Sequence, residues 1–471
     1  MDNTRAKRLR VPAKASLYYL TGGVIGKAVS IITTPLFTRL LSEYEYGSYS
    51  LYVSWLTVFS VFATLELGGN VMNRCLIERK DSGEGLILSG CYLTFFSSMA
   101  FFVLYVLLSP FVTEATGLSV GIFCVMSLQM LFDGVISVIL SGEHFFYGYK
   151  TVFLVNTLSS VISPVLAIIF IRLLSPQAKM RIAATLAVSG ASALFLFLRS
   201  VKKGGARGFS LSKAKSDVKR LLGLCLPLLP YYLCRTAIGV TDKLLITNSY
   251  GKGALAKYSV ASSLGLAPTF LVSAIGYAVS PWIMRKLKLG EGEKCKRVAG
   301  AAVISLYSVG LIINILSPEL LSILAPSGYG EALRAVYPLA LSVAPGFLLT
   351  VANTVITFEE RTSISSWATA AGAILAVACE ILLLRLGDHT LVAFGTPIAH
   401  LTALGVILLL SRRVRGVMPF GDTLFFGAVS ITVSVLAFAQ REIMAARLIL
   451  CVIPVLLLIR CLYGIKGLIT E

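Results

Sequence analysis

The sequence predicts an all-α polytopic membrane protein with 14 transmembrane helices, arranged as two pseudo-symmetric six-helix bundles plus two C-terminal helices. Three observations predict it: an apolar composition, apolar stretches alternating with short basic connections, and an internal repeat. Of 471 residues, 56% are hydrophobic and 14% charged, and the mean hydropathy is +0.83. A soluble chain of this length needs far more charge to cover its surface. An apolar helix of about 20 residues crosses a bilayer core of roughly 30 Å, so all the spans together would take about 280 residues. Soluble enzymes, disulfide scaffolds and disordered chains are excluded.

Along the chain, apolar segments predict spans at 16–41, 47–67, 85–108, 117–140, 151–173, 181–199, 221–247, 254–280, 298–316, 332–356, 363–384, 391–410, 422–440 and 445–463. A basic tail with Arg5, Lys7, Arg8, Arg10 and Lys14 runs into the first span without a small-residue cleavage site, so no cleaved leader is expected. Of the 42 Lys and Arg residues, 29 fall in the alternate connections that include the N-terminus and 9 in the opposite set. The other 4 (Lys27, Arg39, Arg235 and Lys243) lie within helices. By the positive-inside rule both termini are cytoplasmic. The net charge of +19 thereby follows from topology, and no nucleic-acid partner is expected. The most basic connections, 199–220 and 285–297, would attract anionic lipid with about 1 kcal/mol per residue. The 9 cysteines are scattered with no CxxC spacing and are read as apolar packing residues, with no metal site.

The end of the first span reads Thr38-Arg39-Leu40-Leu41, then Tyr46-Gly47 and Tyr49-Ser50. The end of the seventh reads Asp242-Lys243-Leu244-Leu245, then Tyr250-Gly251 and Tyr258-Ser259. Six spans separate the copies, an even number, so the two halves share one orientation. That predicts a bundle over 1–208, a second over 209–411 and two further helices over 412–471, with a substrate site near the midplane.

The stretch ITTPLFTRLLSEYEYGSYSLYVSW resembles the opening of bacterial polysaccharide flippases, the Wzx-like branch of the multidrug/oligosaccharidyl-lipid/polysaccharide exporter superfamily. Further segments are similar, among them LPLLPYYLCRTAIGVTDKLLITNSYGKGALAKYSVASSL and the pair FEERTSISSWATAAGAILAVACEILLLRLG and VAFGTPIAH. The resemblance spreads over most of the chain through loose helix and turn patterns. It departs from the family at the end of the twelfth span, where Pro397 and His400 replace small residues. It implies a transporter without enzymatic activity in the bacterial inner membrane. The cargo it implies is a polyprenyl-diphosphate-linked oligosaccharide, such as an O-antigen unit on undecaprenyl diphosphate, delivered to polysaccharide polymerase machinery and surrounded by membrane lipids. Lipid II, or a small molecule exported with an ion, is the alternative cargo.

Charged residues inside a membrane cost on the order of 2.5–3.5 kcal/mol each near its centre and call for a reason. Lys27 and Arg235 fall near the midplane of the first and seventh spans, which the superfamily places on either side of its central cavity. Two such cations suit a diphosphate, the Arg gripping oxygens bidentately and the Lys acting as a point charge. Arg39 and Lys243 occupy matched positions nearer the outer ends, as snorkelling residues or as further anion contacts. Tyr231 and Tyr232 offer faces for sugar rings. Asp133, Asp242 and Glu66 are candidates for coupling to H⁺ or Na⁺, or for gating, against the alternative of structural ion pairs such as Glu66 with Arg74. His400 reads as a packing residue, and the prolines at 35, 227, 230, 268, 345 and 397 as kinks or hinges.

The segment TGGVIGKA at 21–28 is not a phosphate-binding loop: its first residue is Thr21, and Ala28 stands where Ser or Thr would follow the lysine. With no nucleotide domain and no sizeable external loop, a polymerase or ligase is disfavoured and no cofactor is expected.

Overall fold

The computed structural model describes residues 2–68, 70–78, 83–146, 148–205 and 211–459, and every regular element among them is helical. The chain divides into two compact units, Met1–Thr33 with Ser48–Thr236 and Thr34–Gly47 with Ala237–Glu471.

Unit 1 holds most of α1 (Asp2–Leu40) and α2 (Glu43–Thr64), then α3 (Asn70–Ile77), α4 (Glu84–Leu107), α5 (Ser109–Thr116), α6 (Val120–Phe145), α7 (Tyr149–Leu173) and α8 (Ala178–Ser200). A π-helical turn (Val201–Gly205) and α9 (Leu211–Cys225) follow. Local chemistry sets the breaks. Gly117 takes the left-handed conformation (φ 66°) that ends α5, and the Ser119 hydroxyl accepts from the Ile122 amide to open α6. Two apolar clusters hold the helices together. One gathers Met72, Cys75, Ile87, Cys91, Val138 and Leu221; the other gathers Tyr52, Tyr105, Phe123, Met126 and Met130. Helix α9 packs on α3 and α4 through Leu221 and Cys225.

Unit 2 takes in most of α10 (Leu229–Gly265), then α11 (Thr269–Lys288), α12 (Gly292–Leu324), α13 (Leu333–Leu341) and α14 (Val343–Phe358). It continues with α15 (Thr362–Leu384), α16 (Gly395–Leu410), α17 (Arg412–Val417), α18 (Phe420–Ala439) and α19 (Met444–Leu450). Helices α15 and α16 approach closely because small residues line their contact: a side chain at Gly372 would press on the Ala399 carbonyl and the Ala403 methyl. Helix α18 docks on α12 through Leu311, Ile315, Val433 and Ala437, with Asn314 donating to the Ser434 hydroxyl at 2.9 Å. Arg447 on α19 is buried and donates to both Glu319 carboxylate oxygens (2.5 and 2.8 Å) and to the Ile315 carbonyl.

Ten stretches among the described residues are long and apolar enough to cross a membrane. Helices α1 and α2, expected as the first two spans, are 39 and 22 residues long. The expected span 221–247 falls within the 53-residue stretch Lys213–Gly265, where a 3₁₀ turn containing Pro227 separates α9 from α10. The span expected at 254–280 is broken instead of continuous. Pro268 lacks a backbone N–H and caps α11, so the chain turns at 266–268. Of the final span, expected over 445–463, residues 460–463 lie outside the described residues.

The repeated segments meet inside unit 2. Gly47 in the first copy lies so close to the Lys252 carbonyl of the second that a Cβ there would collide with it. The Lys252 ammonium sits 4.7 Å from the centre of the Tyr44 ring and donates to its hydroxyl at 3.2 Å. The glycine is needed for that close approach.

Candidate functional site: membrane-embedded charges of the two units

In unit 1, α1 carries Lys27 and the start of α10 carries Arg235, and both side chains are exposed. Among the described residues neither makes a hydrogen bond or an ion pair. Unit 1 ends at Thr236, one residue beyond Arg235, so both cations fall within it. Beside Arg235 lies half-buried Glu66, within electrostatic range of Arg235 and of buried Tyr232. Leu65 and Glu66 both adopt left-handed backbone (φ 53° and 47°), a conformation costing about 1–2 kcal/mol per residue, so the turn after α2 holds this carboxylate under strain. Tyr231 packs edge-on against Tyr232 with ring centres 5.4 Å apart. Arg235, Glu66, Tyr231 and Tyr232 therefore form one cluster. The alternative pairing of Glu66 with Arg74 is not made: Arg74 reaches Glu78 at 3.7 Å, and Glu78 also pairs with Arg220.

Asp133 belongs to a different network. One carboxylate oxygen accepts from Ser189 at 2.8 Å, the other from Gln129 at 3.4 Å, and the Gln129 carbonyl accepts from the Tyr52 hydroxyl at 2.8 Å. Neutral donors from α6 and α8 thus hold the carboxylate, with Tyr52 of α2 bonded to Gln129 behind them. Ser189 also lines a cavity of about 370 Å³ enclosed by α1, α2, α7 and α8. Its walls carry the hydroxyls of Ser30, Thr33, Ser159, Ser163 and Thr185, and the Arg181 guanidinium lies there, 3.8 Å from the centre of the Tyr49 ring. Its size falls within the range of small-ligand sites, and its walls are rich in hydrogen-bonding groups.

In unit 2, Arg39 is not available as an anion contact in this conformation, because its guanidinium donates to the carbonyls of Pro35 (3.1 Å) and Ile323 (3.0 Å). Lys243 is half-buried, and its ammonium makes no hydrogen bond or ion pair among the described residues. Asp242 is 5% exposed and accepts from the Tyr258 hydroxyl at 2.6 Å and from the Lys243 amide at 2.7 Å. Within electrostatic range of Asp242 lies Glu380 of α15, 1% exposed. It presses against Gly395, where a Cβ would collide with the carboxylate, and its Oε2 has no partner among the described residues. His400 packs with its Nδ1 3.1 Å from the Ser342 carbonyl. At one end of the unit Asp388 pairs with Arg334 at 2.8 Å. Burial pushes its carboxyl up, but bonds from Thr390 and Arg334 outweigh that effect and hold it below the usual carboxylate range.

Two members of these sites, Glu380 and Arg181, are absent from the sequence-derived set. Glu380 carried the same signal that marked Lys27, a charge inside an apolar span. Arg181 falls where the span boundary made it read as a connecting residue.

Comparison with known proteins gives these charges a context. The sequence profile described as polysaccharide biosynthesis protein matches residues 13–286. A curated relative, Lsg locus putative protein 1 of Haemophilus influenzae, is 22% identical over 279 residues, covering 58% of this chain and 66% of the relative's length. Among solved structures, the lipid II flippase MurJ in an inward closed conformation aligns with a TM-score of 0.72 at 15% identity, covering 98% of this chain and all of MurJ. An outward-facing multidrug resistance MATE transporter of the MOP superfamily aligns with a TM-score of 0.63 at 15% identity, covering 86% of this chain and 96% of that one. The fold is that of these flippases and transporters.

Proposed function

This chain belongs to the polysaccharide biosynthesis protein family, and from that premise we propose that it is a flippase for a polyprenyl-diphosphate-linked oligosaccharide. It takes the cargo from the cytoplasmic leaflet and releases the head group on the other side by alternating access, supplying surface polysaccharide assembly. One observation carries the cargo chemistry. Unit 1 holds two membrane-embedded cations, Lys27 and Arg235, that no counter-charge among the described residues neutralises with an ion pair. An unpaired cation in a low-dielectric environment is costly, and a diphosphate relieves the cost for both at once. Half-buried Tyr231, beside Arg235, offers a ring face to the first sugars, whereas Tyr232, expected to do the same, is buried and packs edge-on against it. Lys243 provides a further anion contact, and Arg39 does so only if it leaves its carbonyl partners.

We assign coupling to H⁺ or Na⁺ to Asp242 with Glu380. Lys243 beside Asp242 offsets one negative charge, and the second buried carboxylate is left for a proton or a monovalent cation to compensate. Asp133, held by neutral hydrogen bonds, is a less suitable coupling site. Glu66, within electrostatic range of Arg235 but not ion-paired with it, already has a cation nearby and is also a less suitable coupling site.

The test is mass spectrometry of lipid-linked intermediates from cells depleted of the protein. A complete undecaprenyl-diphosphate repeat unit should accumulate while the surface glycan disappears. Accumulation of lipid II would move the cargo to peptidoglycan. Altered drug sensitivity with normal lipid-linked intermediates would move it to small molecules.

A further inference from the structure

Unit 1 carries a second basic region away from Lys27 and Arg235. The last turns of α8 leave Phe195 and Leu198 exposed, then present Arg199, Lys202 and Lys203 across the π-helical turn. These five residues line an open cavity of about 510 Å³, apolar on one side and basic on the other. Lys203 is engaged by Glu143, whereas Arg199 and Lys202 make no ion pair among the described residues. The π-helical turn rests on α4, and so does α9, so the two basic elements share a support. Helix α9 is amphipathic. Asp217, Leu221 and Cys225, spaced four residues apart, face inward, with Asp217 accepting from Ser89 at 3.1 Å. Lys213, Lys215, Lys219 and Arg220 are exposed.

We infer that the end of unit 1 formed by α8, the π-helical turn and α9 is a binding site for an anionic phospholipid. The lipid phosphate lies between Arg199 and Lys202, and its first acyl carbons lie on Phe195 and Leu198. The reasons are physical. A cavity that is cationic on one wall and apolar on the other matches the boundary between a phosphodiester and a hydrocarbon chain. Helix α9 keeps its apolar face on α3 and α4 and turns Lys213, Lys215 and Lys219 outward, adding positive charge that attracts an anionic surface. Among the described residues, Glu78, Glu143 and Asp217 are bonded to Arg220, Lys203 and Ser89, and none forms an ion pair with Arg199 or Lys202. This binding does not depend on which cargo the protein carries.

The test uses the purified full chain in detergent, offered equal amounts of dioleoyl-phosphatidylglycerol and dioleoyl-phosphatidylcholine, with retained lipid counted by native mass spectrometry. The wild type should retain phosphatidylglycerol in preference. R199Q/K202Q should weaken that retention by on the order of twentyfold, from about fivefold per cation near an anionic headgroup. R199K/K202R should keep it, and a matched loss of charge at exposed residues outside both basic connections, K179Q/R385Q, should leave it unchanged. Melting temperatures of all variants identify any that fail to fold, and the charge-conserving variant supplies the comparison if R199Q/K202Q is one of them. Equal retention of the two lipids by the wild type, or equal loss in both glutamine variants, would overturn the site. Displacement of the lipid by millimolar inorganic phosphate would reassign it to a free anion. Displacement by an equimolar amount of farnesyl diphosphate would reassign it to the cargo.

Discussion

Replacing Lys27 and Arg235 with alanine separates a cargo role from a structural one, because the two roles predict opposite effects on stability. A buried charge that serves the fold has a partner, and removing one member of such a pair costs about 3–5 kcal/mol. Lys27 and Arg235 are exposed and make no ion pair among the described residues, so each truncation should change stability by no more than about 0.5 kcal/mol. Transport should respond differently. A charge-assisted contact to a phosphate oxygen is worth about 1.5–3 kcal/mol, so each substitution should lower cargo affinity by roughly 10- to 150-fold. The double variant should lose less than the product of the single effects, since both cations would act on one diphosphate. The conservative R235K should be intermediate, keeping charge but losing the planar fork. The assay is lipid-linked intermediate accumulation in cells expressing each variant at matched membrane levels, with melting of the purified protein alongside. Full transport by K27A/R235A at normal abundance would refute the assignment, as would a loss of several kcal/mol of stability in either single variant.

Asp242→Asn and Glu380→Gln should each remove the response of transport to an imposed Na⁺ or pH gradient while leaving the protein folded, as measured in proteoliposomes with gradients set by dilution; an unchanged response in both would exclude the pair as the coupling site. Gly47→Ala drives a methyl into the Lys252 carbonyl, where backbone cannot yield as a side chain does, so the purified protein should lose at least about 1–3 kcal/mol, read as a lowered melting temperature. Arg447→Met should destabilise by about 3–5 kcal/mol by leaving Glu319 without its cation, whereas R447M/E319L should recover most of the loss; a double variant equal to the sum of the singles would show that the pair is not coupled.

The membrane character and the helical class were legible because they depend on sums over long windows. Apolar runs and uneven basic connections survive errors of several residues at each end. Helix breaks were less legible, since they are decided by single residues with local geometry. Pro268 ends one helix, whereas Pro164 and Pro281 lie inside others, and the residue type alone does not separate the two outcomes. The repeat was visible in sequence, but its physical meaning was not. Matching Tyr-Gly pairs suggested related bundles, and the structure adds that the two copies pack against each other at Gly47 and Lys252.

Membrane-embedded charges posed a harder problem, because a charged residue looks the same in sequence whether or not its partner lies across the fold. Arg447 and Glu319 are 128 residues apart yet bonded, and Arg39 finds its acceptor 284 residues away. Asp133 is satisfied by Ser189 and Gln129, neither of which carries a charge to betray the contact. Once those internally satisfied groups are set aside, two clusters remain. Unit 1 keeps Lys27 and Arg235 with Glu66 nearby, and unit 2 keeps Asp242 and Glu380 with Lys243 beside them, one Glu380 carboxylate oxygen being unpartnered among the described residues. A single site for both cargo and coupling ion would make an anion and a cation compete for the same charges. With cargo assigned to the Arg235 cluster and coupling to the Asp242 cluster, neutralising Asp242 should abolish the ion response without weakening the binding of a farnesyl diphosphate probe. Neutralising Arg235 should do the reverse. If either variant lost both properties while remaining folded, the two functions would share one site and the separate assignment would be wrong.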